Sequence, residues 1–213
     1  MTRQAYAFDT ALRERLGARL KRFVAERNDS AELRKAAVAL ILARSPQTGA
    51  ASVIITLRPA GLRRHGAQYA LPGGRLDAGE TSLAAALRET SEELGLRLRD
   101  ADILGRLDDF PTRSGFRIAP FVAWCDDVSA LRPDPEEVES VTFIPLHELD
   151  SPEIPILEAE EEGGVPVLSA HLPVLGHRVY APTAAILYQF REIALRGEIT
   201  RVAHFGQPRF AWK

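Results

Sequence analysis

The carboxylates of Glu89, Glu92 and Glu93 are the groups in this chain whose type and spacing most directly specify chemistry. On a helix turning about 100° per residue, positions separated by three, four and one gather on one side. Like charges held so close repel, so they must either face water or be compensated by a cation, and hard divalent ions such as Mg2+ select oxygen ligands of this kind. An isolated E-x-x-E-E is ordinarily a solvated helix face. Here the context is different: Pro72-Gly73-Gly74 precedes the helix, Glu80 lies six residues after Gly74, Arg88 lies eight after Glu80 and adjoins Glu89, and Gly95 ends the segment. Glycines allow close backbone approach, and an exposed carbonyl such as that of Gly74 can add an oxygen ligand. Arg88 can pair with Glu80 and brace the loop against the helix.

A helix over Leu83–Leu94 must carry these groups. Its wheel predicts a core-facing stripe of Leu83, Leu87, Thr90 and Leu94, with the three glutamates opposite and Ala85 and Ala86 on their face, where small side chains leave room for a ligand. The β-rich runs Ala36–Ala43 and Ser52–Leu57 flank Ser45–Gly49 and predict a hairpin, and the Gly-, Pro- and Arg-rich stretch Arg58–Gly79 predicts a loop feeding the helix. Strand-like runs at 103–107, 118–125 and 141–145 predict a mixed sheet. Residues 151–180, with Pro152, Pro155, Pro166, Pro173 and Gly163-Gly164, read as a long loop or irregular hairpin. A last helix is predicted from Pro182 through Ala184, Ile186, Leu187 and Phe190 to Gly197, and an amphipathic N-terminal helix over 9–27 from Leu12, Leu16, Leu20, Phe23 and Val24. The division expected is a helical extension over 1–33 and one domain over 34–213.

Composition bounds the function. The chain has 213 residues, 46% hydrophobic and 26% charged, in the range of a globular protein long enough for a core. A net charge of −2 gives no global field for nucleic acid or an anionic membrane, so neither is expected as a partner, and any anion site must be local. Only three of the 27 basic residues are lysines. The single cysteine, Cys125, excludes an internal disulfide and a Cys-rich zinc site, and reads as a strand thiol in a reducing compartment. Ala36–Ala43 is far shorter than the ~18 apolar residues of a membrane helix, and the expected location is cytoplasmic.

The stretch GRLDAGETSLAAALRETSEELGL, from Gly74 to Leu96, resembles the Nudix hydrolase signature G-x5-E-x7-R-E-U-x-E-E-x-G-U, where U is aliphatic. Every fixed residue is present, and the one departure is Thr90 at the first aliphatic position, where its hydroxyl can bond a carbonyl one turn back. The resemblance implies an α/β/α sandwich with a mixed sheet and Mg2+- or Mn2+-dependent hydrolysis of a diphosphate. It implies Glu89 and Glu93 as metal ligands, Glu92 as a further ligand or base, the Gly74 carbonyl as a possible ligand, and Glu80 with Arg88 as a structural pair. The general base varies in this family; Glu137, in the acidic run Asp134–Glu139, is the first candidate, the alternative being a solvated turn.

Upstream, Ile54-Ile55-Thr56-Leu57-Arg58 followed by Arg63, His65, Gln68 and Pro72-Gly73-Gly74 resembles the extension of coenzyme A pyrophosphatases, L-L-T-x-R-S/A-x3-R-x3-G-x3-F-P-G-G. Pro59, Ala67 and Leu71 depart from it. The substrate so implied is coenzyme A or a derivative, cleaved to 3′,5′-ADP and 4′-phosphopantetheine. Arg58, Arg63 and Arg64 can supply planar donors to its phosphates, and His65 a contact. Hydrolysis of ADP-ribose, NADH, a dinucleoside polyphosphate or a nucleoside triphosphate stays open, as does a nucleotide sensor without turnover, although a sensor would not need three mutually repelling carboxylates. The acidic stretch 158–162 can gate the site or contact a second subunit, which leaves a homodimer open.

Overall fold

The computed structural model describes residues 6–61, 66–158 and 165–208. Strand β1 (Arg34–Arg44) is buried over most of its length, which is why it reads as a continuous apolar run and not as an alternation. It changes partner midway. Its second half, Ile41–Arg44, runs antiparallel to β2 (Ala51–Leu57) as the predicted hairpin, whereas Ala36–Val38 pairs with a short strand inside the glycine-rich segment. That segment, expected as a loop, holds β3 (Tyr69–Ala70) on the end of β2 and β4 (Gly73–Arg75) on β1.

On its other edge β1 pairs in parallel with the later strand β7 (Phe116–Cys125). Strands β5 (Ile103–Arg106) and β6 (Phe110–Pro111) lie antiparallel to β7, and β8 (Ser140–Pro145) lies antiparallel to β2. The sheet is therefore mixed, as expected. Helix α2 (Ser82–Leu94) covers one face, and α1 (Thr10–Arg22) and α4 (Thr183–Phe190) cover the other, where Leu40, Leu42, Val53, Ile55 and Trp124 share one core with Leu12, Leu16 and Leu20. This is an α/β/α sandwich. A four-residue helix, α3 (Leu146–Leu149), follows β8. Cys125 ends β7 as a buried thiol, and burial pushes it up to about 11, so it stays protonated at neutral pH. Among the described residues no helix is long and apolar enough to cross a membrane.

Two elements differ from the sequence reading. Helix α1 stops at Arg22, short of the expected residue 27, because the chain turns extended at Phe23 and is held there by side chains from the strand layer: Glu26 N–H donates to Asp108 and Asn28 N–H to Asp109. Val24 is consequently 80% exposed. The stretch read as a loop or irregular hairpin is a three-stranded antiparallel sheet of β9 (Ile156–Glu158), β10 (Val167–Leu172) and β11 (His177–Tyr180). Strands this short, interrupted by prolines, carry too few residues for a period-two signal. The last helix does end at Gly197, but its final part, Arg191–Arg196, is a π-helical turn.

Helix α1 docks over β5 at Gly105, where an added Cβ would stand 2.7 Å from the Leu20 Cβ. Gly105→Ala should therefore destabilise the protein by ~1–3 kcal/mol through overpacking. A urea midpoint equal to that of the parent would mean that the extension is not seated on the sheet.

Candidate active site

Helix α2 starts where the Thr81 hydroxyl accepts from Ala84 N–H at 3.1 Å and ends at Gly95. It lies against the sheet through Ala85 and Ala86, which pack on Ala37 and Ala119. This corrects the helix-wheel expectation: the two alanines leave no room for a ligand, because the strands fill that space, and Leu83 and Leu87 are only partly buried. Small residues on both sides let the helix approach closely. Thr90 is buried and its hydroxyl donates to the Ala86 carbonyl at 2.7 Å, so a polar residue at the aliphatic position is satisfied within the helix.

The close approach brings the glutamates onto β4. Residues of a strand point alternately to opposite faces, and Gly74 faces α2: a Cβ there would overlap the Glu89 carboxylate. Gly73 sits at φ +151, and a Cβ on it would lie 2.6 Å from the Val38 Cα. Only glycine fits at Gly73, where the clash is with backbone; at Gly74 its missing side chain lets the Glu89 carboxylate stay where it is. With that space open, Gly73 N–H donates to Glu93 at 3.2 Å, and the Arg58 guanidinium stands 3.7 Å from the same carboxylate.

Arg88 gathers the other acids. Its Nε and Nη2 donate to the two Glu80 oxygens at 3.0 and 3.1 Å, its Nη1 donates to Glu89 at 3.0 Å and Glu92 at 2.8 Å, and Nη2 also reaches the Arg75 carbonyl at 3.0 Å. The pairing with Arg88 holds the Glu80 carboxyl below its usual range, and the Glu80 contact in turn raises the Arg88 guanidinium. Burial raises Glu89 in spite of Arg88. Burial pushes Glu93 up to about 8, partly opposed by Arg58 and the Gly73 N–H and reinforced by the charges of Glu89 and Glu137. Glu137 thus stands within electrostatic reach of both, although it belongs to the loop before β8.

Among the described residues no three acidic, histidine or cysteine side chains stand close enough together to enclose a cation. The reason is visible in the contacts: Glu89 and Glu92 are drawn onto Arg88, and Glu93 onto Arg58 and Gly73. The donors nonetheless fit a hard divalent ion in kind. All are oxygens, Glu93 is buried with too little compensation to stay ionised at neutral pH, and the Gly74 cradle keeps the Glu89 carboxylate against the backbone.

These groups lie at one end of a cleft of about 1350 Å³. Of the residues singled out in the sequence, Gly74, Glu89, Glu92, Glu93, Glu137 and Arg58 line it, while Glu80 stands behind Arg88. Arg63, Arg64 and His65 lie outside the described residues. Of the acidic 158–162 stretch, Glu158 pairs with Arg178 and the rest is likewise outside them. The remaining cleft wall is made by residues to which the sequence reading gave no role, among them Arg34, Tyr69, Arg75, Phe116 and His177. No motif joins them; only strand register brings Arg34 opposite Phe116 and Arg75 opposite Ala36.

The Glu93 environment makes a stability prediction. In the unfolded chain this carboxyl titrates near ~4.3, so between there and about 8 the folded protein holds a proton that unfolding releases, and stability falls as pH rises through that window. In the presence of EDTA, Glu93→Gln should therefore raise the thermal midpoint relative to the parent more at pH 9 than at pH 5. A difference independent of pH would show that Glu93 is not held protonated.

The chain is similar to several known proteins. The NUDIX domain family matches residues 33–159. Nudix hydrolase 3 of Caenorhabditis elegans is 38% identical over 105 residues, which cover 47% of this chain and 44% of that protein. An uncharacterized Nudix hydrolase, NudL, of Salmonella paratyphi B is 36% identical over 114 residues, covering 53% of this chain and 58% of its own. The chain thus spans about half the length of the curated relatives it matches. Among solved structures, a MutT/nudix family protein from Enterococcus faecalis superposes with a TM-score of 0.47 at 18% identity, over 76% of this chain and 59% of that one. The NUDIX domain of Shewanella oneidensis NrtR, complexed with ADP ribose, superposes with a TM-score of 0.43 at 18% identity, over 61% and 79%. The family match runs from the residue before β1 to the residue after β9 and takes in the whole signature helix with its glycine strand, and on that ground the chain belongs to the Nudix family.

Proposed function

We propose that the chain hydrolyses the diphosphate bond of coenzyme A or a derivative, giving 3′,5′-ADP and 4′-phosphopantetheine, in the cleft beside α2. The observation that carries this reading is the convergence of Glu89, Glu93 and Glu137 with Arg58 at one end of a cleft large enough for a nucleotide conjugate. Glu89, Glu92, Glu93 and the Gly74 carbonyl would hold Mg2+ or Mn2+. When bound, such an ion neutralises diphosphate oxygens and makes an attacking water more acidic.

The chain's own residues supply the rest. Arg58 is fixed by its backbone, which donates to Gln68 and accepts from Ala67 N–H, and its guanidinium beside Glu93 is placed to orient a diphosphate oxygen. Glu137 faces the carboxylates from the opposite loop and takes the proton of the attacking water, with Glu92 as the second candidate. Arg88 acts by positioning, holding the Glu89 and Glu92 carboxylates and, with Glu80, the helix against its loop.

Support for coenzyme A comes from the upstream segment. Ala67 has φ +55 and is the only described non-glycine residue with a positive φ. The coenzyme A pyrophosphatase pattern places glycine at this position, so this chain keeps the left-handed turn after losing the residue that favours it. Leu71, in the place of that pattern's phenylalanine, is buried, so the exchange alters packing volume.

Mass spectrometric product analysis with Mg2+ or Mn2+ and a panel of coenzyme A, acyl-coenzyme A, ADP-ribose, NADH, diadenosine polyphosphates and nucleoside triphosphates tests this. Release of phosphopantetheine at the best kcat/KM is expected, and a better rate with another diphosphate would discard coenzyme A as the substrate. Glu92→Gln and Glu93→Gln should each lower kcat at least ~100-fold, several kcal/mol of lost charge stabilisation, with the fold retained. Parent-level turnover in both would move the catalytic centre elsewhere.

A further inference from the structure

The face of β4 opposite the glutamates carries a second charged feature. Gly74 points at α2, so its neighbour Arg75 points into the cleft, where Ala36 lies opposite it on β1. On the far side of β1, Phe116 of β7 lies opposite Arg34. The Arg34 guanidinium carbon stands 3.9 Å from the centre of the Phe116 ring and that of Arg75 stands 5.1 Å from it. Two guanidiniums are thus gathered on one aromatic ring, with the small Ala36 leaving space between their strands.

Neither has an acidic partner among the described residues. Arg34 donates to the Ser114 carbonyl at 2.8 Å, and among the described residues the Arg75 side chain meets only the ring. Arg58 and Arg178, the other described arginines lining the cleft, each sit beside a glutamate. An uncompensated pair of planar donors matches the charge and geometry of a phosphate dianion. The Thr112 and Ser114 hydroxyls, 3.0 Å apart, line the same stretch of cleft. Along β4, Arg75 is two residues from Gly73, the contact of Glu93, or about 7 Å at ~3.3 Å per residue. One strand therefore runs from the reaction site to the arginine pair.

We propose that Arg34 and Arg75 form a second anion subsite, which binds a phosphate monoester on the ribose next to the scissile diphosphate. It deepens the diphosphatase reading and rests on it for the placement of that diphosphate. Among ribose phosphates, the 3′-phosphate of coenzyme A is the form named by the proposed substrate, and a 2′-phosphate offers the same dianion.

Calorimetric binding of 3′,5′-ADP, 2′,5′-ADP and AMP to the full chain separates the two readings without turnover. The parent should bind 3′,5′-ADP at least ~10-fold tighter than AMP, the difference one charge-assisted pairing supplies. In the double variant Arg34→Ala, Arg75→Ala that ratio should fall to about 1, and Arg34→Lys, Arg75→Lys should retain part of it; if the double alanine variant fails to fold, Arg34→Gln and Arg75→Gln are measured singly. A ratio near 1 in the parent, or a ratio unchanged in the variants, overturns the subsite. A ratio lost in Arg63→Ala and kept in the double variant also overturns it, by giving the role to Arg63. Preference for 2′,5′-ADP that is lost in the variants upholds the subsite and removes coenzyme A as its ligand, and a 3′,5′-ADP preference lost in the variants, without coenzyme A hydrolysis, upholds the subsite and overturns the proposed reaction.

Discussion

The structure is organised around a repulsion. Glu89, Glu92, Glu93 and Glu137 bring negative charge to one seam between a helix and a strand, and two guanidiniums hold it there: Arg88 from within the helix and Arg58 from the end of β2. Arg88 does more than neutralise. By spanning Glu80, two glutamates of its own helix and the Arg75 carbonyl, it fixes the loop, the helix and β4 to one another, so these three elements cannot shift independently. Glu93, which it does not reach, is raised chiefly by burial, with the charges of Glu89 and Glu137 adding to the rise.

That seam exists because side chains were removed from it. Ala85 and Ala86 of the helix meet Ala37 and Ala119 of the strands, and Gly73 and Gly74 take positions where a Cβ would strike backbone or a carboxylate. The partner change of β1 supplies the slot: if β2 followed β1 along its whole length, β4 would have no edge to join, and the Pro72 carbonyl could not accept from Ala39 N–H at 2.9 Å. Close packing and catalytic placement are here the same requirement.

Periodicity and one long motif made much of this legible in the sequence. The β1–β2 hairpin, the span of α2, the mixed sheet and the Arg88–Glu80 pairing follow from β-rich apolar runs, the glycine that ends the helix, and spacing. The wheel of α2 did not tell which flank meets the sheet, since Ala85 and Ala86 are as compatible with an open face as with a close contact. The sheet of β9, β10 and β11 was hidden by prolines between strands of three to six residues. Arg34, Arg75 and Phe116 are dispersed over more than eighty residues, and only the register of three strands unites them.

Strand β4 is one residue thick. Gly74 belongs to the charged seam and Arg75, its chain neighbour, to the opposite face of the strand, so the reaction machinery and that face share a backbone but no side chain. Exposed positions such as Arg34 and Arg75 can therefore drift over evolutionary time while the glycines and glutamates behind them stay fixed. A scaffold of this kind can diversify in what it accepts without reinventing how it cuts.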